Sequence, residues 1–156
     1  MGDFVFNIAK GSVAGNYRRI DANDPANSAF LIIIIDANGD TDATMMDRDD
    51  MSALLGGTAN EVTNSGYARK TLTDADLTAF SPDDANNRVD LDFADQVWTA
   101  IGAGTAWTDA IVAMDTDTTG GTDSNVEPQT LHDFPITPDG SDITLQVAAA
   151  GFFRAS

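Results

Sequence analysis

Cysteine is absent from this 156-residue chain. Disulfides, thiolate zinc sites and cysteine nucleophiles are excluded with it, and assembly in a reducing compartment is accommodated. Histidine occurs once, at His132. Catalysis by that imidazole would need a hydroxyl or metal brought to it by the fold, because its sequence neighbour Asp133 would point to the opposite face of a strand. No serine sits in a nucleophile elbow. No glycine loop leads into a helix in the way a phosphate cradle requires, since Gly102-Ala103-Gly104 is followed by Trp107 and a further strand pattern. Long apolar runs are missing as well. The longest, Ala29–Ile35, falls far short of the roughly 20 residues of a membrane-spanning helix. The opening residues show no basic segment followed by a long apolar stretch, so no secretory leader is expected.

Positive charge is scarce: 8 Lys and Arg stand against 25 Asp and Glu, a formal net charge of -17. Such a surface repels phosphate backbones and anionic lipid, so neither nucleic acid nor membrane is an expected partner. Salt adaptation is a second source of the same acidity. Six of the basic residues, Lys10, Arg18, Arg19, Arg48, Arg69 and Lys70, lie in the first 70 positions. Among them Arg18, Arg19, Arg69 and Lys70, with Tyr67, are the candidates for contact with an acidic partner.

What is present is extended-chain chemistry. Phe30–Ile35 combines consecutive β-branched residues with no alternation, the pattern of a central strand covered on both faces. Ala110–Met114 reads the same way, while Ile143–Val147 alternates like a strand with one wet face. Strands are expected over Arg88–Ile101, Ala106–Asp115, Thr130–Thr137 and Ile143–Phe153, with a polar loop at Thr116–Pro128. Shorter extended pieces are expected at Phe4–Ile8 and Tyr67–Leu72. Helices are expected over Ser12–Arg19, where Val13, Tyr17 and Ile20 share a face, and over Met45–Leu55, closed by Gly56-Gly57. The chain therefore reads as mainly β: one domain, residues 1–156, an antiparallel β-sandwich or compact β-barrel with one or two short helices. Segment 1–28 is an arm or peripheral helix in this reading.

Two further groups carry candidate roles. Counting Asp36 as position 1, Asp36, Asn38, Asp40, Asp42 and Asp47 place oxygen ligands at 1, 3, 5, 7 and 12 of a calcium loop. Position 6 is Thr41 instead of glycine and a strand precedes the loop, so the spacing favours an acidic connection; no metal or other cofactor is expected. Trp98 and Trp107 flank the glycine turn and are expected to face each other across a hairpin. With Phe152 and Phe153 they are candidates for a subunit interface, since consecutive residues on a strand cannot both enter one core.

Several stretches together resemble small virion structural proteins of tailed bacteriophages. These are Phe4–Tyr17, Asn23–Ala29, Gly66–Leu77, Thr122–Ser124, His132–Phe134, Asp139–Asp142 and Ala150–Phe153. The resemblance implies a non-catalytic capsid decoration or cement protein on the head exterior, assembled in the host cytoplasm. Its implied partners are the major capsid protein and further copies of itself. A neck or tail component is the alternative within that class; a calcium-binding module or a hydrolase built on His132 is the alternative outside it.

Overall fold

A computed structural model describes residues 2–156. Its centre is one antiparallel sheet. Strand β1 is Phe4–Val5, β2 Ala29–Asp36, β3 Asn60–Glu61 and β4 Lys70–Leu72, followed by β5 at Val89–Leu91 and β6 at Gln96–Trp98. The long strands β7, Trp107–Asp115, and β8, Val126–Ile136, precede β9 at Ile143–Leu145 and β10 at Phe153–Ala155. In the large sheet the order is β1-β8-β7-β2-β3, with β4 paired to the other end of the lane beside β2. Two small antiparallel pairs, β5 with β10 and β6 with β9, complete the set. The fold is thus mainly β and antiparallel. The outer strands of the large sheet do not pair with each other among the described residues, so it forms an open layer.

The apolar run does what its composition dictates. Residues Phe30, Ile32, Ile33, Ile34 and Ile35 are 0% exposed, and complete burial of each such side chain contributes about 1.5–3 kcal/mol. β2 pairs with β7 in continuous register from Ala29↔Asp115 to Ile35↔Asp109. That register, continued into β8, puts Phe30, Ile32, Ile34, Val112, Ala110, Thr130 and His132 on one face. Helix α1, Val13–Asp21, and the two small pairs cover this face: the Tyr17 ring lies 6.0 Å from Phe30 and 6.2 Å from Phe152. The Tyr17 hydroxyl reaches the carbonyl oxygens of Thr78 at 2.5 Å and Asp92 at 2.6 Å, while burial pushes its pKa up to about 12.

Several expectations are corrected. Segment 1–28 carries helix α1, and its residues Phe6, Ala9, Val13, Tyr17 and Ile20 are buried in the single core cluster. Met45–Leu55 is two helices, α2 at Asp42–Met46 and α3 at Met51–Leu55. Thr41 and Asp50 each accept a hydrogen bond from the backbone N–H three residues on, so each starts its own helix. Ser12, by contrast, makes no such cap; its hydroxyl donates to the Ala9 carbonyl. Arg88–Ile101 splits into β5 and β6, which belong to different pairs, and Ile143–Phe153 contains only β9 and the first residue of β10. β8 starts four residues before Thr130 because Pro128 fits at the register shift opposite Val112 and Ala113. Phe4–Ile8 is extended only at β1, then turns into a short 3-10 helix at Asn7–Ala9.

Candidate functional site

The candidate contact residues converge, but inward. Tyr67, Arg69, Lys70, Trp98 and Trp107 form one cluster at the β3–β4 end of the large sheet. Trp98 and Trp107 are 2% and 1% exposed, with rings 5.4 Å apart at 83°. They clamp each other without forming a hairpin, since β6 pairs with β9. Each indole N–H is satisfied: Trp98 donates to the Ala68 carbonyl at 2.8 Å and Trp107 to Asn64 Oδ1 at 3.0 Å. Tyr67 stands against both rings, accepts from the Ile34 N–H and donates to Glu61 Oε1, each at 3.0 Å. Burial and the Glu61 charge raise its pKa.

Arg69 bridges two carboxylates. Its guanidinium donates to Glu61 at 2.9 and 2.6 Å and to Asp123 at 2.6 and 3.1 Å. These paired bonds raise the arginine pKa and hold the Asp123 carboxyl below its ordinary value. Lys70 donates to the Val97 carbonyl at 2.7 Å and lies 5.3 Å above the Trp98 ring. The chain thus spends these cations on itself. Arg18 and Arg19 differ: both are exposed in the last turn of α1, with no ion pair or side-chain hydrogen bond among the described residues.

The acidic loop diverges. Asp36 accepts from the Asn38 N–H, Asp40 from the Thr58 hydroxyl and the Ala59 N–H, Asp42 from the Gly2 N–H, and Asp47 from the Asn7 amide. Apart from the Asn38 contact within it, the loop is tied to Gly2, Asn7 and Thr58–Ala59, and no group of three or more His, Asp or Glu able to hold a metal occurs among the described residues.

The concave feature is elsewhere, and residue spacing gave no sign of it. A cavity of 590 Å³ lies between the His132 face of the large sheet and the segment from β9 to β10. Its floor is Ala110, Val112, Thr130 and His132; Leu145, Val147, Phe152 and Phe153 wall it. Pockets of about 300–1,000 Å³ enclose drug-sized molecules. Phe152 is held over the floor by rings of Phe93 at 5.0 Å, Phe30 at 6.0 Å and His132 at 6.4 Å. Gly151 sets that position. Its φ is +77°, and a Cβ there would stand 2.1 Å from the Leu91 carbonyl oxygen, so only glycine lets the chain pass so close to β5. Phe153 is half-buried at the cavity wall.

His132 is the ionisable group of the floor. Nε2 lies 2.9 Å from the Thr130 hydroxyl and Nδ1 3.6 Å from Asp3. Burial lowers its pKa, while Asp3 opposes the shift. The partner acid is Asp3, not Asp133. Sequence neighbours could not reveal it, because Asp3 arrives through β1 pairing to β8. Behind the same strands Asp109 is 1% exposed, with Thr108 and Asp133 as its polar neighbours. Burial, then the charge of Asp133 directly across the register, raises its pKa.

No protein-family model, curated protein or solved structure matches this chain.

Proposed function

We propose that this protein is a structural component of a tailed-phage particle, a decoration or cement protein that binds the head exterior as a homo-oligomer with the major capsid protein as its partner. One observation carries the reading: the stretches that resemble such virion proteins meet in space as the internal locks of the fold. Asp123 of one stretch receives Arg69 of another. Tyr17, His132 and Phe152, from three more, share one ring cluster. Asp142 accepts from the Ala100 N–H at 2.8 Å and fixes the loop before Trp107. The similarity therefore falls on residues that maintain a rigid shape, which is what a shell component needs. With Tyr67, Arg69, Lys70, Trp98 and Trp107 consumed internally, the capsid contact narrows to Arg18 and Arg19 on α1, and the subunit contact to the half-buried Phe153.

Co-sedimentation with purified heads that lack this protein tests the proposal. Binding should appear at low salt and weaken as ionic strength rises, because exposed ion pairs are screened over roughly 8–10 Å. An Arg18→Ala, Arg19→Ala double variant should bind weakly at every salt concentration. Association with isolated tails and none with heads would move the protein to a neck or tail position.

The Thr130–His132–Asp3 line favours a second reading, a hydrolase using the cavity. Its chemistry is poorly served. Thr130 is 2% exposed, it sits mid-strand between two paired strands, and the imidazole–carboxylate separation exceeds hydrogen-bond range. Turnover of a p-nitrophenyl ester that is lost in His132→Ala, with folding retained, would establish the hydrolase and defeat the structural assignment.

A further inference from the structure

The cavity beside β8 has a binding chemistry of its own, independent of any particle role. Its interior is set by rings: Phe93, Phe134, Phe152 and Phe153 line it together with Val112 and Leu145. A volume of 590 Å³ lies within the range that encloses a small organic molecule. The charges near its mouth are already engaged. Asp3 accepts from the Asp133 N–H at 2.9 Å, and its other oxygen stands 3.6 Å from His132 Nδ1. Asp133 has an interaction of its own and lies across the register from Asp109, on the face turned away from His132. Arg154 is held by Asp90 through two bonds, at 2.5 and 3.2 Å. A charged ligand among the rings would leave water and meet no uncommitted counter-ion among the described lining residues, and burying an unpaired charge is strongly unfavourable.

The floor offers one polar pair. His132 Nε2 and the Thr130 hydroxyl are 2.9 Å apart. Burial lowers the imidazole pKa, so at neutral pH the ring is uncharged and carries a single proton. The Asp3 carboxylate facing Nδ1 favours that proton on Nδ1, which leaves Nε2 to accept from the Thr130 hydroxyl. Thr130 Oγ then has its hydrogen committed and a lone pair left over. The floor is an acceptor with no donor to spare.

We infer that this cavity binds a neutral aromatic molecule carrying one N–H or O–H donor, its ring among the phenylalanines and its donor on Thr130 Oγ. Ring contacts supply the affinity. The donor fixes the orientation, because a ligand that covers the Thr130 oxygen without donating to it leaves a buried acceptor unsatisfied.

Four probes test this against the full chain: indole, 1-methylindole, indole-3-acetate and tryptamine. Backbone amide resonances of Val112, His132 and Phe152 report on the cavity, and that of Ala53 in α3, which does not line it, serves as the reference. Indole should shift the first three saturably and leave Ala53 in place. 1-Methylindole, which lacks the donor, should bind about threefold to tenfold more weakly. The two charged probes should bind at least about tenfold more weakly than indole. Thr130→Val should retain indole binding and abolish its advantage over 1-methylindole; if that variant fails to fold, the ratio of the two affinities in the wild type still decides. No saturable shift with millimolar indole overturns the inference. Equal binding of indole-3-acetate or tryptamine overturns the requirement for a neutral ligand, and equal binding of 1-methylindole overturns the role of Thr130.

Discussion

The two ends of the large sheet are finished differently. At the β3–β4 end, Trp98, Trp107, Tyr67 and Arg69 leave no polar tip unanswered: two indoles, a phenol and a guanidinium each find a partner within 3.0 Å. At the β1–β8 end a 590 Å³ cavity remains open, its histidine shares one close contact with Thr130, and the two small pairs leave edges free. Both ends draw on aromatic residues. The difference is that one set is cross-bonded into a closed clamp, and the other is stacked around empty space. Stability should therefore concentrate at the clamp and adaptability at the cavity.

Substitutions at the two ends should separate them. The largest effect is expected at the clamp, where Trp107→Ala removes a fully buried ring and orphans Asn64 Oδ1; chemical denaturation should show a loss of about 3–5 kcal/mol. Phe153→Ala at the cavity wall should cost under about 1.5 kcal/mol in the same assay, because the side chain is only half-buried. Comparable losses at both sites would erase the contrast. Gly151→Ala comes next, with an expected loss of about 2–3 kcal/mol from positive-φ strain and the clash with Leu91. Loss of the Phe152 ring-current shifts should accompany it. Arg69→Ala should cost about 1–3 kcal/mol, since two carboxylates lose their partner in a half-buried site.

The remaining effects are pH-dependent and opposite in sign. Asp109 holds its proton above the ordinary carboxylate value. Its contribution to stability is therefore present at low pH and lost as pH rises through that raised value. Asp109→Asn should remove this loss and leave the protein more stable at neutral pH, measured by urea denaturation. His132 titrates below its ordinary value of about 6.5. Its contribution is present above that pH and lost as pH falls towards the lowered value. His132→Gln should flatten the stability profile just below about pH 6.5, the smallest change in this series, measured by urea titration at closely spaced pH. A variant profile that superimposes on the wild type would mean the cavity does not hold the imidazole neutral.

How much of this was legible in the residues follows from the range of each interaction. The β2 core strand was carried by its unbroken β-branched run, and the α1 face of Val13, Tyr17 and Ile20 by helical periodicity; both signals are local, as is the β-rich class they belong to. The Trp98–Trp107 contact was also legible, though its cause was not: the glycine turn separates two strands that pair elsewhere. Arg69 looked free because Glu61 and Asp123 reach it from 8 and 54 positions away. Asp3 beside His132, and Asp109 facing Asp133, depend on strand register, which no local pattern specifies before the sheet forms. The cavity was invisible for the same reason. It is bounded by β1, β8, β9 and β10, and its shape rests on Gly151, whose need for glycine arises only when Leu91 lies beside it.

Cryo-electron microscopy of the intact particle, with this chain quantified on a gel against the major capsid protein, tests the central claim most directly. Hundreds of copies are expected on the outer head surface, with Arg18 and Arg19 towards the capsid. Absence from the particle, or a location inside with the genome, would contradict it.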